Sequence, residues 1–485
     1  MPSAFRRLLP ALLGIAVTAV LACGNDDASK PAVASDAAVP FDASDASEDT
    51  NLPLDAADAA RVSNLLGKGI LRTKGRDIVD ATGASIPLRG VNLGNWLLLE
   101  MWMTSFAASA DVDSDYALRQ LITKRFETTT AGAADTMFRA LRDHAFAKSD
   151  LVALAASGAT VVRLPFPYWL FANDAAPLSV SSASLLWLDQ FLLDAEAAGL
   201  YVILDLHGAQ GGQSTNHSTG RVREKAELWD RKNHPEHEAA LLNLWTVLAT
   251  RYRDADVVAG YDVVNEPDEG GSGATLDDMM AFYDRAAKTI RAVDPNHVLI
   301  FERLQENVFF SGTFGPTSIA NAKAWTNWVQ SEHMYFQFGP DGYDLAAKDV
   351  TNANIQGKID YYLAQQKKLG VSVPLNIGEL GWSQDDAFDL LPRQAKIFND
   401  DDCSWTVWSH KTWKKSNMGV VYGNGDAASP LCAGSASCTI DPKTASYATL
   451  LAAFSATGTN DPSANFVANP GYQALFATYG VKRAP

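Results

Sequence analysis

Two glutamates, far apart in the chain, sit in stretches that read alike. Glu266 closes the run Tyr261-Asp262-Val263-Val264-Asn265 and is followed by Pro267. Glu379 closes Val373-Pro374-Leu375-Asn376-Ile377-Gly378 and is followed by Leu380-Gly381. A short, mostly apolar run ended by an acid and then by a breaker is the pattern of a buried strand that delivers a carboxylate at its C-terminal end. Two carboxyl groups brought face to face, about 5–5.5 Å apart, can cleave a glycosidic bond with retention. One attacks the anomeric carbon. The other protonates the leaving oxygen and later activates water. Glu379 is the expected nucleophile, kept ionised by a neighbouring cation. Glu266 is the expected acid/base, kept protonated by an apolar or like-charged setting.

Such acids need a scaffold whose strand ends converge. Strand patterns recur at Ile86–Leu93, Thr160–Pro165, Tyr201–Gly208, Gly260–Val264, His297–Glu302, Ser331–Tyr335, Val373–Glu379 and Ser404–Trp408. Helical patterns lie between them, at about 134–156, 183–198, 236–252, 276–293, 357–369 and 386–399, with one more near 471–479. Strands alternating with helices imply a parallel sheet. Eight such units without a Gly-rich phosphate loop favour an α/β (β/α)8 TIM barrel in a single catalytic domain over an open doubly wound sheet.

In such a barrel the C-terminal strand ends share one face. Read in order, they carry Glu100, Arg163, His207, Asn265 with Glu266, Glu302, His333 with Tyr335, Glu379 and Trp408. Arg163 is placed to pair with Glu379, or with another acid inside the barrel, and Tyr335 to donate a hydrogen bond to Glu379. Asn265 can bond a sugar 2-hydroxyl. His207 and His333 can bond sugar hydroxyls or orient the carboxylates, and Trp408 offers a flat apolar surface to a sugar's C–H face. For Glu302, a salt bridge at the rim and a substrate contact stand equal. The other tryptophans, Trp102 among them, divide between core and outer sugar subsites in a way the sequence does not sort.

This ordered set resembles glycoside hydrolase family 5, over about Arg89 to Trp413. The family pattern is an arginine after strand two, a histidine after strand three, Asn-Glu after strand four, His-x-Tyr after strand six, a glutamate after strand seven and a tryptophan after strand eight. Arg89-Gly90-Val91-Asn92-Leu93-Gly94-Asn95-Trp96 with Glu100, and Leu206-His207-Gly208-Ala209 followed by Gln213, are most similar to the exo-β-1,3-glucanase branch. Phe301-Glu302-Arg303 departs from that branch's usual fifth-strand ending. The resemblance implies a retaining hydrolase of β-1,3 or β-1,4 glucosidic linkages, with Glu100 touching the terminal sugar. The partner expected is a β-linked polysaccharide or oligosaccharide. No metal or organic cofactor is implied, and a monomer is expected. A β-mannanase, a glycosylceramidase-like hydrolase and a catalytically weak glycan-binding lipoprotein are the alternatives. A metal-dependent barrel hydrolase would want His-x-His on the first strand, where this chain has Arg89-Gly90-Val91-Asn92.

The 485 residues are 47% hydrophobic and 20% charged, enough apolar material for a large core. The net charge of −16 argues against nucleic acid as a partner. Between Gly24 and Ala60 lie nine acids and one base, Lys30. Residues 23–60, mainly Ala, Asp, Ser and Pro, bury too little apolar surface to order themselves and are expected to be a disordered tether. Residues 1–22 read as a signal segment: Arg6 and Arg7 precede an apolar run from Leu8 to Leu21. Val20-Leu21-Ala22-Cys23-Gly24 resembles a bacterial lipobox, which implies lipid on Cys23 and export to a cell envelope or surface, with the membrane reached only through that anchor; an ordinary cleaved signal is the alternative. Residues 61–485 are expected to be the catalytic domain. Cys432 and Cys438 flank a small polar loop and form a possible disulfide in an exported protein. Cys403 is expected as a buried thiol, with pairing to Cys432 as the rival.

Overall fold

The computed structural model describes residues 69–303, 323–336, 346–413, 415–423, 439–455 and 466–482. The signal segment, the tether, Cys23, Cys432 and Cys438 lie outside the described residues. At the centre is a closed barrel of eight strands: β1 Arg89–Asn92, β2 Val161–Pro167, β3 Tyr201–Gly208, β4 Val258–Asp262, β5 Val298–Glu302, β6 Trp328–His333, β7 Leu375–Leu380 and β8 Ser404–Val407. Every neighbouring pair is parallel, and β8 closes on β1 through Trp405 opposite Arg89. The predicted (β/α)8 barrel is therefore the observed one.

Helices cover the outside. Three fill the β1–β2 connection, α1 Asp115–Phe126, α2 Ala133–His144 and α3 Lys148–Ser157, where the pattern predicts one helical region. The others are α4 Ser182–Ala197, α5 Pro235–Tyr252, α6 Leu276–Val293, α7 Asn352–Leu369, α8 Ala387–Asp400, α9 Tyr447–Ser455 and α10 Pro470–Tyr479. Starts follow local chemistry: Thr275 and Asp278 form a capping box at α6, and Pro235 opens α5. Among the described residues, no helix is long and apolar enough to cross a membrane.

Alternation along the strands decides where the site can form. On β2, Val162, Leu164 and Phe166 point outward into the helix layer, while Val161 and Arg163 point inward. On β3, Val202, Leu204 and Leu206 face out, and Ile203, Asp205 and His207 face in. The inward set is apolar at the N-terminal end of the barrel, where Val161, Ile203, Val298, Ile300 and Val329 pack with Ile78 of a hairpin (Arg72–Lys74 with Asp77–Val79). It becomes polar toward the C-terminal end. The barrel thus has a dry plug below and a charged floor above.

Most strand ends lie within a few residues of the sequence pattern, and two of the shifts bear on the site. β4 ends at Asp262, not beyond it, and β6 starts at Trp328, earlier than predicted. Val263 and Val264 are still fully buried, so the apolar run reports burial rather than ladder pairing. The chain after Asp262 stays tied to both neighbours, through Val263 N–H to Ile300 O and Asn265 N–H to Leu206 O. Glu266 consequently sits on an irregular turn with φ of 43°, rather than on the strand end itself. Close approach also dictates composition at Gly90, where a Cβ would lie 1.7 Å from the Val161 carbonyl oxygen.

Cys403 is buried and free, with burial pushing its thiol up to about 12. It is a packing residue at the start of β8.

Candidate active site

The polar floor is organised by one cation. Arg163, fully buried on β2, sends Nε to Asp262 at 2.9 Å and Nη1 to Glu379 at 2.9 Å and Asn92 at 3.0 Å. Its Nη2 reaches Asn265 at 2.8 Å, Glu302 at 2.9 Å and Asp205 at 3.1 Å. The sequence offered two partners for Arg163, the nucleophile candidate or an internal acid, and the structure gives it both. Asp205 and Asp262 were not singled out in the sequence. Their signal was there: an acid inside a run that otherwise reads as a buried strand needs a buried partner.

Glu379, on β7, accepts a hydrogen bond from Tyr335 Oη at 2.8 Å as well as from Arg163. Glu266 bonds His333 Nδ1 through Oε1 at 2.9 Å and accepts Ser218 Oγ on Oε2 at 3.2 Å. A carboxylate oxygen of each glutamate and a nitrogen of His333 lie within 4.8 Å of one another. His333 Nε2 is 3.1 Å from Glu302 Oε1, and Nδ1 is 3.5 Å from Glu379 Oε2. Glu302 is a buried member of this network rather than a rim residue.

The proton balance is the reverse of the sequence expectation. Burial pushes Glu379 up, and the charge of Glu266 adds to this; His333, Arg163 and His207 recover only part, leaving it raised to about 7. Burial would raise Glu266 too, but the hydrogen bond and charge of His333, with His207 and Ser218, outweigh it and bring it down to about 2. His333 loses by burial and gains more from Glu302, Glu379 and Glu266, so its imidazole is held well above the usual range. The expectation that Glu379 is held charged and Glu266 protonated is corrected on this point. Arg163 divides its charge among four acids, whereas His333 sits directly on Glu266.

The remaining predicted residues converge on the same floor. His207 hydrogen-bonds Asp205 through Nδ1 at 2.7 Å, and its Nε2 is 3.4 Å from Asn265 Nδ2. Trp408 lies flat on His207, with centroids 5.4 Å apart and 12° between planes. It is only 3% exposed, and the face toward His207 is covered by that ring. Gly94 permits this, since a Cβ there would meet the Trp408 ring at 2.7 Å. Gln213 ties the loop after β3 to the carbonyls of His207 and Asn265, at 2.8 and 2.9 Å.

Glu100 is nearly buried and is held by Trp102 Nε1 at 2.7 Å and His217 Nε2 at 3.2 Å. Trp102 is 42% exposed, whereas Trp96, Trp169, Trp229, Trp328, Trp382 and Trp413 are buried. The structure thereby sorts the tryptophans that the sequence could not. His217 and Ser218, on the loop after β3, were missed because a polar loop gives no periodic signal.

Among the described residues, two clusters place metal-type donors close together. In Glu266, His333 and Glu379 the ring Nδ1 is already engaged, hydrogen-bonded to Glu266 and 3.5 Å from Glu379. In His234, Glu236 and His237 the two rings are stacked, 5.4 Å apart with 21° between planes, so their lone pairs run side by side rather than converge.

Comparison with known proteins matches residues 126–414 to the family model for cellulase, glycosyl hydrolase family 5. The chain belongs to glycosyl hydrolase family 5. It is a glycoside hydrolase, and its barrel is the family's fold. A β-xylosidase of Phanerodontia chrysosporium is 27% identical over 359 residues, 70% of this chain and 70% of that protein. A probable glucan 1,3-β-glucosidase A of Aspergillus clavatus is 29% identical over 315 residues, 64% of this chain and 68% of that protein. The crystal structure of an endogalactoceramidase superposes with a TM-score of 0.55 at 18% identity, covering 84% of each chain.

Proposed function

We propose that this glycoside hydrolase cleaves β-glucosidic linkages of a β-glucan by retaining double displacement, with Glu379 as nucleophile and Glu266 as acid/base. The observation that carries this reading is the approach of the two carboxylates, whose nearest oxygens fall within 4.8 Å. That approach agrees with the close pairing of a retaining enzyme, carboxyls about 5–5.5 Å apart, rather than the about 6.5–9.5 Å of an inverting one. Arg163 and Tyr335 fix Glu379 toward the anomeric carbon. Asn265, held by Arg163, presents its amide near His207, where a 2-hydroxyl would sit. The names of the relatives support a β-linked pyranoside, with glucose and xylose as the sugars to separate. Product analysis on β-1,3-, β-1,4- and mixed-linkage glucans, mannan, xylan and a glycolipid panel tests the substrate. Following the first product anomer by NMR tests retention; an α-product would overturn it. A binding protein without turnover is the second reading, and turnover of any member of the panel removes it.

Two outcomes follow for the acids. Glu266→Gln is expected to lower kcat/KM by about 10²–10⁴-fold on sugar leaving groups, and far less on a dinitrophenyl glycoside that departs without a proton. Parallel kinetics on the two substrates check this. Glu379 must be ionised to attack, and its carboxyl lies at about 7. Activity should therefore rise with pH through that value, and kcat/KM should fall about tenfold per unit below it.

We further propose that the protein is exported and lipid-anchored through Cys23, with residues 23–60 as a tether. The lipobox-like Val20–Gly24 and the acidic Ala/Asp/Ser composition support this. Mass spectrometry of the mature N-terminus tests it; an unmodified cysteine or cleavage elsewhere would overturn it.

A further inference from the structure

The reading of Glu266 as acid/base leaves a question, because an ionised carboxylate has no proton to give. We propose that the proton for the first step is stored on His333 and handed to Glu266, and that Glu302 is the positioning residue that keeps it there. This rests on the acid/base assignment above and extends it by two residues.

Three carboxylates, two on strands and one on the turn after β4, face the His333 ring: Glu266 at Nδ1, Glu302 at Nε2 and Glu379 at 3.5 Å from Nδ1. Beyond them, Arg163 lies on the far side of Glu302 and Glu379, and His207 acts on Glu266 and Glu379. On the ring's own strand, Glu332 pairs with Arg303 and Gln330. An imidazole between two acids, with Nδ1 hydrogen-bonded to Glu266 and Nε2 at ion-pair distance from Glu302, is stable as a cation and can release Nδ1–H to Glu266.

Glu302 has a second task. Its Oε2 accepts the backbone N–H of Glu266 at 2.6 Å, which holds that residue in its left-handed conformation. The Glu302 backbone is itself fixed, because Tyr283 Oη donates to its carbonyl at 2.9 Å. One carboxylate therefore sets both where Glu266 points and how strongly His333 keeps its proton.

The step balances as follows. The His333 Nδ1–H bond breaks and a Glu266 Oε1–H bond forms, leaving a neutral ring that keeps Nε2–H toward Glu302. Glu266 then gives this proton to the glycosidic oxygen while Glu379 forms its bond to C1 and the C1–O bond breaks. In the second half, Glu266 takes a proton from the attacking water, whose oxygen forms a bond to C1 as the C1–Oε bond to Glu379 breaks with its electron pair returning to Glu379, and the proton passes back to Nδ1.

The test uses the full chain labelled with ¹⁵N-histidine, with His333 assigned by its absence in His333→Gln. Wild type is expected to show both ring nitrogens protonated from about pH 5 into the neutral range. Glu302→Gln removes the charge, so the ring should lose its proton at a pH lower by about one unit or more, and the alkaline limb of kcat/KM on sugar leaving groups should move down with it. Glu302→Asp, which keeps the charge, should hold the limb near its wild-type position even where kcat falls. With a dinitrophenyl glycoside the limb should vanish in every variant. A neutral His333 in the wild type at about pH 6 would overturn the inference. So would a Glu302→Gln profile that is lower but unshifted, which is what a purely structural role produces. If Glu266→Gln keeps full turnover on sugar leaving groups, the acid/base assignment fails instead, whatever the ring nitrogens show.

Discussion

Replacing Glu379 by glycine is expected to abolish turnover, with kcat reduced by about 10⁴-fold or more, while sugar binding stays largely intact. Glu379 is the proposed nucleophile, and Arg163 Nη1 and Tyr335 Oη both donate to its carboxylate. The rest of the floor, from His207 to Asn265, does not depend on Glu379 for its position. The cavity left behind is lined by Arg163 Nη1 and Tyr335 Oη, both donors, so a small anion such as azide should enter it. Attack by that anion from the vacated face would give an α-glycosyl azide, detectable by NMR. Isothermal titration with oligosaccharide and rate measurement on the same preparation check the two halves. Undiminished turnover would remove Glu379 from the mechanism.

The second large effect concerns stability. Arg163→Met is expected to destabilise the fold by about 3–5 kcal/mol, because it strips the shared cation from Asp205, Asp262, Glu302 and Glu379. Burial already pushes Asp262 well up, so that acid can meet part of the loss by staying neutral. In the variant Glu302 and Glu379, which Arg163 now holds down, would also titrate at raised values. A raised folded pKa stabilises below the unfolded value and loses that contribution as pH rises. The destabilisation should therefore be smaller near about pH 4 than near about pH 8, opposite to the acid loss expected for a salt-bridged carboxylate. Urea titrations at the two pH values measure it, and an equal loss at both would mean that Arg163 acts by packing alone.

These two residues also show how far sequence reasoning reaches. Arg163 and Glu379 were legible because each is a charged residue in, or at the end of, an apolar run, and a strand cannot bury a charge without a partner. Their partners were less legible. Asp205 and Asp262 looked like parts of strands, and which acid meets which base depends on the shear of a closed barrel. Glu302 was visible as a strand-end acid, yet its role followed only from what it faces: His333 Nε2 at 3.1 Å, Arg163 Nη2 and the backbone N–H of Glu266. Ser218 and His217 gave no signal, since loop residues have neither periodicity nor a fixed face.

The local pattern by itself determined the eight strands in order, the helix layer and the pair Glu266 and Glu379, because strands buried on both faces leave mostly apolar runs whose ends the chain records. Only the tertiary structure decided the charges of that pair. A pKa depends on every charge within a few ångströms, and those come from β2, β3, β5 and β6, far away in sequence. His333 against Glu266, and Arg163 divided among four acids, turn two similar glutamates into one held near 2 and one near 7. The chain sequence names the acids, and the closed barrel assigns the proton.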